Sequence, residues 1–231
     1  MPTRTALIIG ASRGLGLGLA QELAARGWRV IATARWPDTS HGLLAAARES
    51  VGRIIVESLD ILQPAQLDDL LLRLSAETID LLFVNAGISG ARDQSVDTVT
   101  DEELSHIMLT NAIAPLRVAR RLLPQVKEGG TIAFMSSRMG SVADNQTGGM
   151  DLYRASKAAL NSLTRGFVAT AVKDRSIRVL TLHPGWVRTD MGGEDAPLSI
   201  DESVRGMADV LEGGGAPVHQ FLDYAGQEIP W

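Results

Sequence analysis

The chain has 231 residues, with 22 Lys and Arg against 27 Asp and Glu, a formal net charge of −5 and a pI near 5.4. Its 45% hydrophobic and 21% charged residues are ordinary globular usage, enough to bury a core without staples. The absence of cysteine excludes disulfides, cysteine-held metal and thiol nucleophiles, and the acidic balance excludes a nucleic-acid binder. Arg13 interrupts the first apolar run and no run approaches the roughly 18 residues of a membrane span, so a soluble, cytoplasmic protein with no membrane partner is expected.

Short apolar runs alternate with longer amphipathic stretches throughout. Thr5–Ile9 is predicted as the first strand and runs through Gly10-Ala11-Ser12-Arg13-Gly14-Leu15-Gly16 into a helix over Gly14–Arg26. Strand Arg29–Thr33, helix Gly42–Glu49, strand Arg53–Ser58, helix Pro64–Ser75 and strand Asp80–Val84 follow. Beyond these come helix Asp101–Leu123, strand Thr131–Met135, helix Asp151–Val172, strand Arg178–Leu182, helix Ile200–Leu211 and strand His219–Leu222. Helix starts are marked by Pro64, by Thr100 before Asp101-Glu102-Glu103, and by Ser199 before Asp201-Glu202. Strands apolar on both alternations suit a sheet covered on both faces. The order predicts one α/β domain over 1–231, a doubly wound parallel sheet of about seven strands in three layers. The least regular segments, 89–99, 138–152 and 188–198, all follow strands, on the side where open α/β sheets bind ligands.

The first turn suits a phosphate. Glycine permits positive φ and close backbone approach, and the helix beyond offers unpaired N–H groups and the positive end of its dipole. The spacing is G-x-x-x-G-x-G, and Gly18 is expected to serve only close helix–sheet packing. About 20 residues later, where an acidic side chain would bond a ribose 2′-hydroxyl, the second strand ends in Ala34-Arg35. Arg35 and Arg13 are expected to bracket a 2′-phosphate, which favours NADP over NAD.

Tyr153-Arg154-Ala155-Ser156-Lys157 opens the helix after the fifth strand. An i, i+4 pair shares one helix face, so the ammonium is expected beside the phenol. There it favours phenolate and lowers a pKa that is ordinarily about 10. Ser136 and Ser137 close the preceding strand, where either hydroxyl reaches the same pocket. Each signal alone has a plainer reading: a core aromatic with a solvated lysine, or a serine ending a strand. His41, His106, His183 and His219 are too scattered for a short-range metal pair, and no metal is expected.

Taken together, Gly10–Gly16 (GASRGLG), Leu59-Asp60-Ile61, Asn85-Ala86-Gly87, Asn111, Ser136-Ser137, Tyr153-x-x-x-Lys157 and His183-Pro184-Gly185 resemble the single-domain short-chain dehydrogenase/reductase family. The segments His183–Gly193 and Phe221–Trp231 resemble its C-factor and sniffer-type carbonyl reductase subgroup. The resemblance implies a Rossmann-type fold and reversible, NADP(H)-dependent hydride transfer between nicotinamide and a small carbonyl or alcohol substrate. It makes Tyr153 the general acid–base and has Lys157 lower its pKa and hold the nicotinamide ribose. Ser137 polarises the substrate oxygen, and Asn111 positions a water linking Lys157 to solvent. Gly10, Ser12, Arg13, Gly14, Leu15, Gly16 and Arg35 are implied for the phosphates, and Asp60, with Ile61 beside it, for the adenine. Asn85, Ala86 and Gly87 line the cleft, and Pro184, Gly185, Val187 and Thr189 dock the carboxamide.

The chain also departs from that pattern. Ile9 stands where the family commonly has Thr, and the segment from Arg138 to Leu152 is longer than in many relatives, which leaves Ser136 as an alternative to the preferred Ser137. Little besides Asp195–Pro197 remains for a lid, so an open pocket is expected. By resemblance the two long helices imply a homodimer, with a tetramer as the larger alternative. A competing function is a non-catalytic NADP-binding regulatory or signalling protein of C-factor type, which the intact Ser–Tyr–Lys–Asn set disfavours. A sugar-nucleotide epimerase is disfavoured because about 40 residues after Gly193 leave no substrate domain.

Overall fold

A computed structural model describes residues 3–91, 93–214 and 219–231. Its strands are β1 (Thr5–Ile9), β2 (Arg29–Ala34), β3 (Ile54–Ser58), β4 (Ile79–Val84), β5 (Val126–Met135), β6 (Arg178–His183) and β7 (His219–Asp223). They form one sheet in the order β3-β2-β1-β4-β5-β6-β7, parallel at every pairing. The chain winds outward from β1 through β2 to β3, then crosses to β4 on the other side. That reversal opens a crevice at the C-terminal ends of β1 and β4.

The helices are α1 (Gly14–Ala25), α2 (His41–Glu49), α3 (Pro64–Arg73), α4 (Asp101–Met108), α5 (Ala114–Leu122), α6 (Asp151–Phe167) and α7 (Ile200–Glu212). Alternation along β1 divides its side chains between two cores. Ala6 and Ile8 pack with Leu19 and Leu23 of α1 and Val204 and Met207 of α7. Leu7 and Ile9 pack on the opposite face with Leu116 and Leu122 of α5 and Leu160 and Phe167 of α6. The sheet is therefore covered on both sides, as the apolar centres of its strands require. The expected helix starts at Thr100 and Ser199 form, each closed by a capping box: Thr100 with Glu103 at α4, and Ser199 with Glu202 at α7.

Three details differ from the sequence-based expectation. β5 begins at Val126, which pairs with Ile79 before the register shifts, so the strand carries an irregular, polar first half. The stretch over Asp101–Leu123 is continuous but contains a π-helical turn at Leu109–Ile113, and α6 ends in another at Val168–Val172. Gly18 serves helix–helix rather than helix–sheet packing: a Cβ there would lie 2.7 Å from Ile200 Cγ2 of α7. Among the described residues, no helix is long and apolar enough to cross a membrane.

Candidate active site

The glycine turn is held from three sides at the C-terminal end of β1. Ala11 N–H donates to the Thr33 carbonyl at 2.7 Å, Gly10 N–H to Thr33 Oγ1 at 3.0 Å, and Asn85 Nδ2 to the Gly10 carbonyl at 2.6 Å. Gly10 has φ +89°, and a Cβ there would sit 2.9 Å from Ala86, whose N–H, like that of Asn85, donates to the Ile9 carbonyl. A Cβ at Gly16 would meet the Gly10 carbonyl oxygen at 2.1 Å. Both positions therefore require glycine. Arg13, at the N-cap of α1, makes no side-chain cap, and the first turn of the helix carries no acidic residue. Its N–H groups and positive dipole end face outward beside Gly14, where added side-chain volume meets nothing within 4 Å. That arrangement fits a dinucleotide phosphate.

Arg35 is exposed just past β2. Arg13 is ion-paired with Asp190, so the expected bracket of two arginines is not the arrangement in the structure, where a carboxylate holds one of them. Both partners are more than 70% exposed, and a pair so solvated is weak enough for a phosphate to displace. Asp60 is occupied locally: its Oδ1 accepts from Leu62 N–H, and its N–H donates to Gln66 Oε1.

Four expected residues converge beside this crevice. The Tyr153 phenol lies beside the Ser137 hydroxyl, which draws its pKa downward. Lys157, 3% exposed, lies over the Tyr153 ring at 5.7 Å and donates from Nζ to the Met135 carbonyl at 3.0 Å. Asn111 sits in the π-helical turn, fully buried. Its Oδ1 accepts from Ile88 N–H at 2.8 Å, and its Nδ2 donates to the Ile88 carbonyl at 2.8 Å and to Ser156 Oγ at 3.0 Å. Both amide protons are thus committed, and a water contact falls to Oδ1. That oxygen and Lys157 Nζ both flank Gly87, at 3.2 and 3.4 Å from the position a Cβ would take. Ser136 is turned away, donating to Asn161 Oδ1 at 2.7 Å. Ser137 is therefore the serine placed at the phenol.

Electrostatics here correct one expectation. Burial pushes the Tyr153 phenol up to about 12, against a smaller downward pull from Ser137. Lys157 does not acidify it in the protein alone, because losing water penalises the phenolate more than an ammonium turned toward a carbonyl favours it. Burial lowers Lys157 itself to about 8 from an ordinary 10.5. The unfolded chain therefore binds that proton more tightly. The folded state is penalised below about pH 8, and the penalty fades as pH rises toward 10.5. Lys157→Met is expected to stabilise the cofactor-free protein by about 2 kcal/mol at pH 7, net of the lost hydrogen bond to Met135. Urea midpoints at pH 7 and 10 check this, and a variant less stable than wild type at pH 7 contradicts it.

Segments 89–99 and 138–152 adjoin Tyr153 and Ser137, and segment 188–198 reaches the glycine turn through Asp190. Val96, Val142, Met150, Trp186 and Met191 expose apolar surface there. Segments 89–99, 138–152 and 188–198 hold seven carboxylates against three arginines. Arg138 is engaged by Asp144 at 3.1 Å, and Arg188 donates to the Ala196 and Pro197 carbonyls at 2.8 Å. Trp186 is 56% exposed, yet its Nε1 donates to the Gly192 carbonyl at 2.7 Å. Pro184, whose carbonyl accepts from Ser203 Oγ at 2.6 Å, Gly185 and Val187 lie on the same segment. Thr189 Oγ1 accepts from Gly192 N–H at 3.1 Å.

Sequence reasoning missed Ser156, Asn161 and Gln94, the buried polar residues that orient the others. Ser156 Oγ donates to the Tyr153 carbonyl at 2.8 Å, and its four-residue spacing from Leu160 and Leu152 marked it only as core-facing. For Gln94, a single glutamine in a loop, no sequence pattern was available.

The chain matches the short chain dehydrogenase family over residues 4–197. It belongs to the short-chain dehydrogenase/reductase family. The C-signal of Myxococcus xanthus is 43% identical over 157 residues, 66% of this chain and 93% of that protein. A carbonyl reductase from Pseudomonas aeruginosa PAO1, solved in complex with NADP, is 45% identical with a TM-score of 0.92, covering 99% of this chain and 100% of that one. A Burkholderia multivorans protein assigned to the short-chain dehydrogenase/reductases, with NADP bound, is 43% identical with a TM-score of 0.95 and full coverage of both chains. The seven-stranded parallel sheet is thus the family's fold, and the resemblance seen in the sequence extends to solved carbonyl reductases.

Proposed function

We propose that this short-chain dehydrogenase/reductase uses NADP(H) to interconvert small, uncharged carbonyl compounds and their alcohols, with Tyr153 as proton donor and acceptor. The convergence of Tyr153, Ser137 and Lys157 beside an uncapped glycine-turn helix carries this reading. Gly10–Gly16 would hold the pyrophosphate, Arg35 the 2′-phosphate, Asn85–Gly87 the cleft wall and Pro184–Thr189 the carboxamide. Bound NADPH supplies the hydride. The chain's own residues supply the remainder: Ser137 and the Tyr153 hydroxyl hold the carbonyl oxygen, and Tyr153 releases its proton to that oxygen as charge develops. Lys157 stabilises the resulting phenolate, and the gap between Lys157 and Asn111 returns the proton from solvent. A phenol at about 12 is fully protonated at neutral pH, as a donor must be before reaction.

The acidic, apolar mouth supports a neutral substrate. Among the described residues of its loops, Arg138 is engaged by Asp144 and Arg188 by two backbone carbonyls, so the carboxylates weigh more on an incoming anion than these arginines do. Paired substrates, a neutral keto ester and its free keto acid, are expected to differ in kcat/KM by at least about tenfold in favour of the ester, with the gap narrowing in high salt. NADPH oxidation measured for such pairs tests the reading, and a preference for the acid defeats it. Arg35→Asp is expected to weaken NADPH binding by about 30-fold or more while leaving NADH within about threefold, since a charge-assisted bond to phosphate is worth about 2 kcal/mol. Fluorescence titration with both cofactors reads this, and equal losses reject the 2′-phosphate assignment. Exposed Leu104, Leu109 and Leu163 on α4, its π-helical turn and α6 support the expected homodimer.

A further inference from the structure

We propose that Gln94 is a positioning residue that sets Tyr153 in place from outside its helix. The inference rests on the reading of Tyr153 as the proton donor. α6 begins badly by local criteria: its N-cap, Met150, is in the left-handed region at φ +52° and gives no side-chain hydrogen bond. A helix start in that state leaves its first N–H groups without partners. One of them belongs to Tyr153, the third residue of α6, and it donates to Gln94 Oε1 at 2.9 Å. The glutamine reaches it from a segment 59 residues earlier in the chain.

Gln94 has no freedom to do otherwise. It is 5% exposed, and its two amide protons go to the Ser89 carbonyl at 2.8 Å and the Ala91 carbonyl at 2.9 Å. Two carbonyls on one side and an N–H on the other allow only one orientation of the amide. A second contact joins the same two segments, from Val96 N–H to Asp151 Oδ2 at 3.4 Å. One side chain therefore ties the loop after β4 to the backbone of the residue whose phenol meets Ser137. A shift of α6 at this turn moves the phenol directly, and misplacement of a reacting group by about 1 Å costs on the order of 100-fold in rate.

The test compares Gln94→Met, of similar volume but without polar atoms, with Gln94→Glu, whose buried carboxyl facing two carbonyls takes up a proton and so keeps one oxygen for Tyr153 N–H and one donor for the Ser89 or Ala91 carbonyl. Gln94→Met is expected to lower kcat by at least about tenfold with the NADPH dissociation constant within twofold, and Gln94→Glu to retain more of kcat than Gln94→Met. In a Tyr153→Phe background, Gln94→Met is expected to change the residual rate less than twofold, because its effect passes through the phenol. Hydrogen exchange at the Tyr153 amide is expected to rise at least tenfold in Gln94→Met. That arm needs no turnover, so it reads the clamp even if no carbonyl is reduced and the functional reading itself has failed. An unchanged kcat, an additive loss in the Tyr153→Phe background, a parallel loss of NADPH affinity, or unchanged exchange overturns the proposal. Should Gln94→Met fail to fold, Gln94→Glu decides alone: accelerated exchange at Tyr153 N–H would contradict the retained acceptor, and protection with at least a fifth of wild-type kcat would support it.

Discussion

Tyr153→Phe is expected to remove at least about a thousandfold of kcat while leaving NADPH affinity within twofold, since a positioned acid contributes about 10²–10⁴ and the substitution deletes one oxygen. The ring remains to pack with Ile107 and Leu152, so the fold is retained. Ser137 Oγ still accepts from Met139 N–H at 3.2 Å, which limits the stability cost to about 1 kcal/mol. Steady-state NADPH oxidation, with cofactor fluorescence as the binding control, measures both halves. A variant within tenfold of wild type contradicts the assignment of the proton.

Gly16→Ala has the largest expected effect on binding. The new methyl would lie 2.1 Å from the Gly10 carbonyl oxygen and 2.6 Å from Asn85 Nδ2, and neither can yield without breaking the hydrogen bond between them. Opening that turn swings the N–H groups of α1 away from the phosphate. A loss of NADPH affinity of at least about 100-fold is expected, with about 1–3 kcal/mol of stability from overpacking. Gly14→Ala is the control: its φ of +57° costs about 1 kcal/mol, but the added methyl meets nothing within 4 Å, so binding suffers far less. Equal affinities for Gly16→Ala and wild type would remove the phosphate from this turn.

The frame was readable because its signals are local. Strands such as Thr5–Ile9 are buried at every position, with Ala6–Ile9 an unbroken apolar run, and only a doubly covered sheet accommodates that. The glycine turn and the i, i+4 pair of Tyr153 and Lys157 carry spacing imposed by backbone geometry, so they too could be read in advance. What escaped depends on burial and distant partners. The first half of β5 contains Lys127-Glu128-Gly129-Gly130, which hides a pairing that only Ile79 reveals. Helical periodicity runs unbroken through Leu109–Ile113, so the π-helical turn at Asn111 leaves no trace. Adjacent Ser136 and Ser137 are equivalent until Asn161 claims one of them. The phenol's pKa moved opposite to expectation because the sequence showed the cation but not the depth of the pocket.

The most direct measurement follows the transferred atom. Wild-type protein, given NADPH deuterated at the reactive position of the nicotinamide and a neutral ketone, is expected to yield an alcohol with one deuterium on the carbinol carbon for each cofactor oxidised. NADPH bound tightly at the glycine turn with no label reaching any carbonyl in the panel would contradict the account, and would make the chain a binding protein rather than an enzyme.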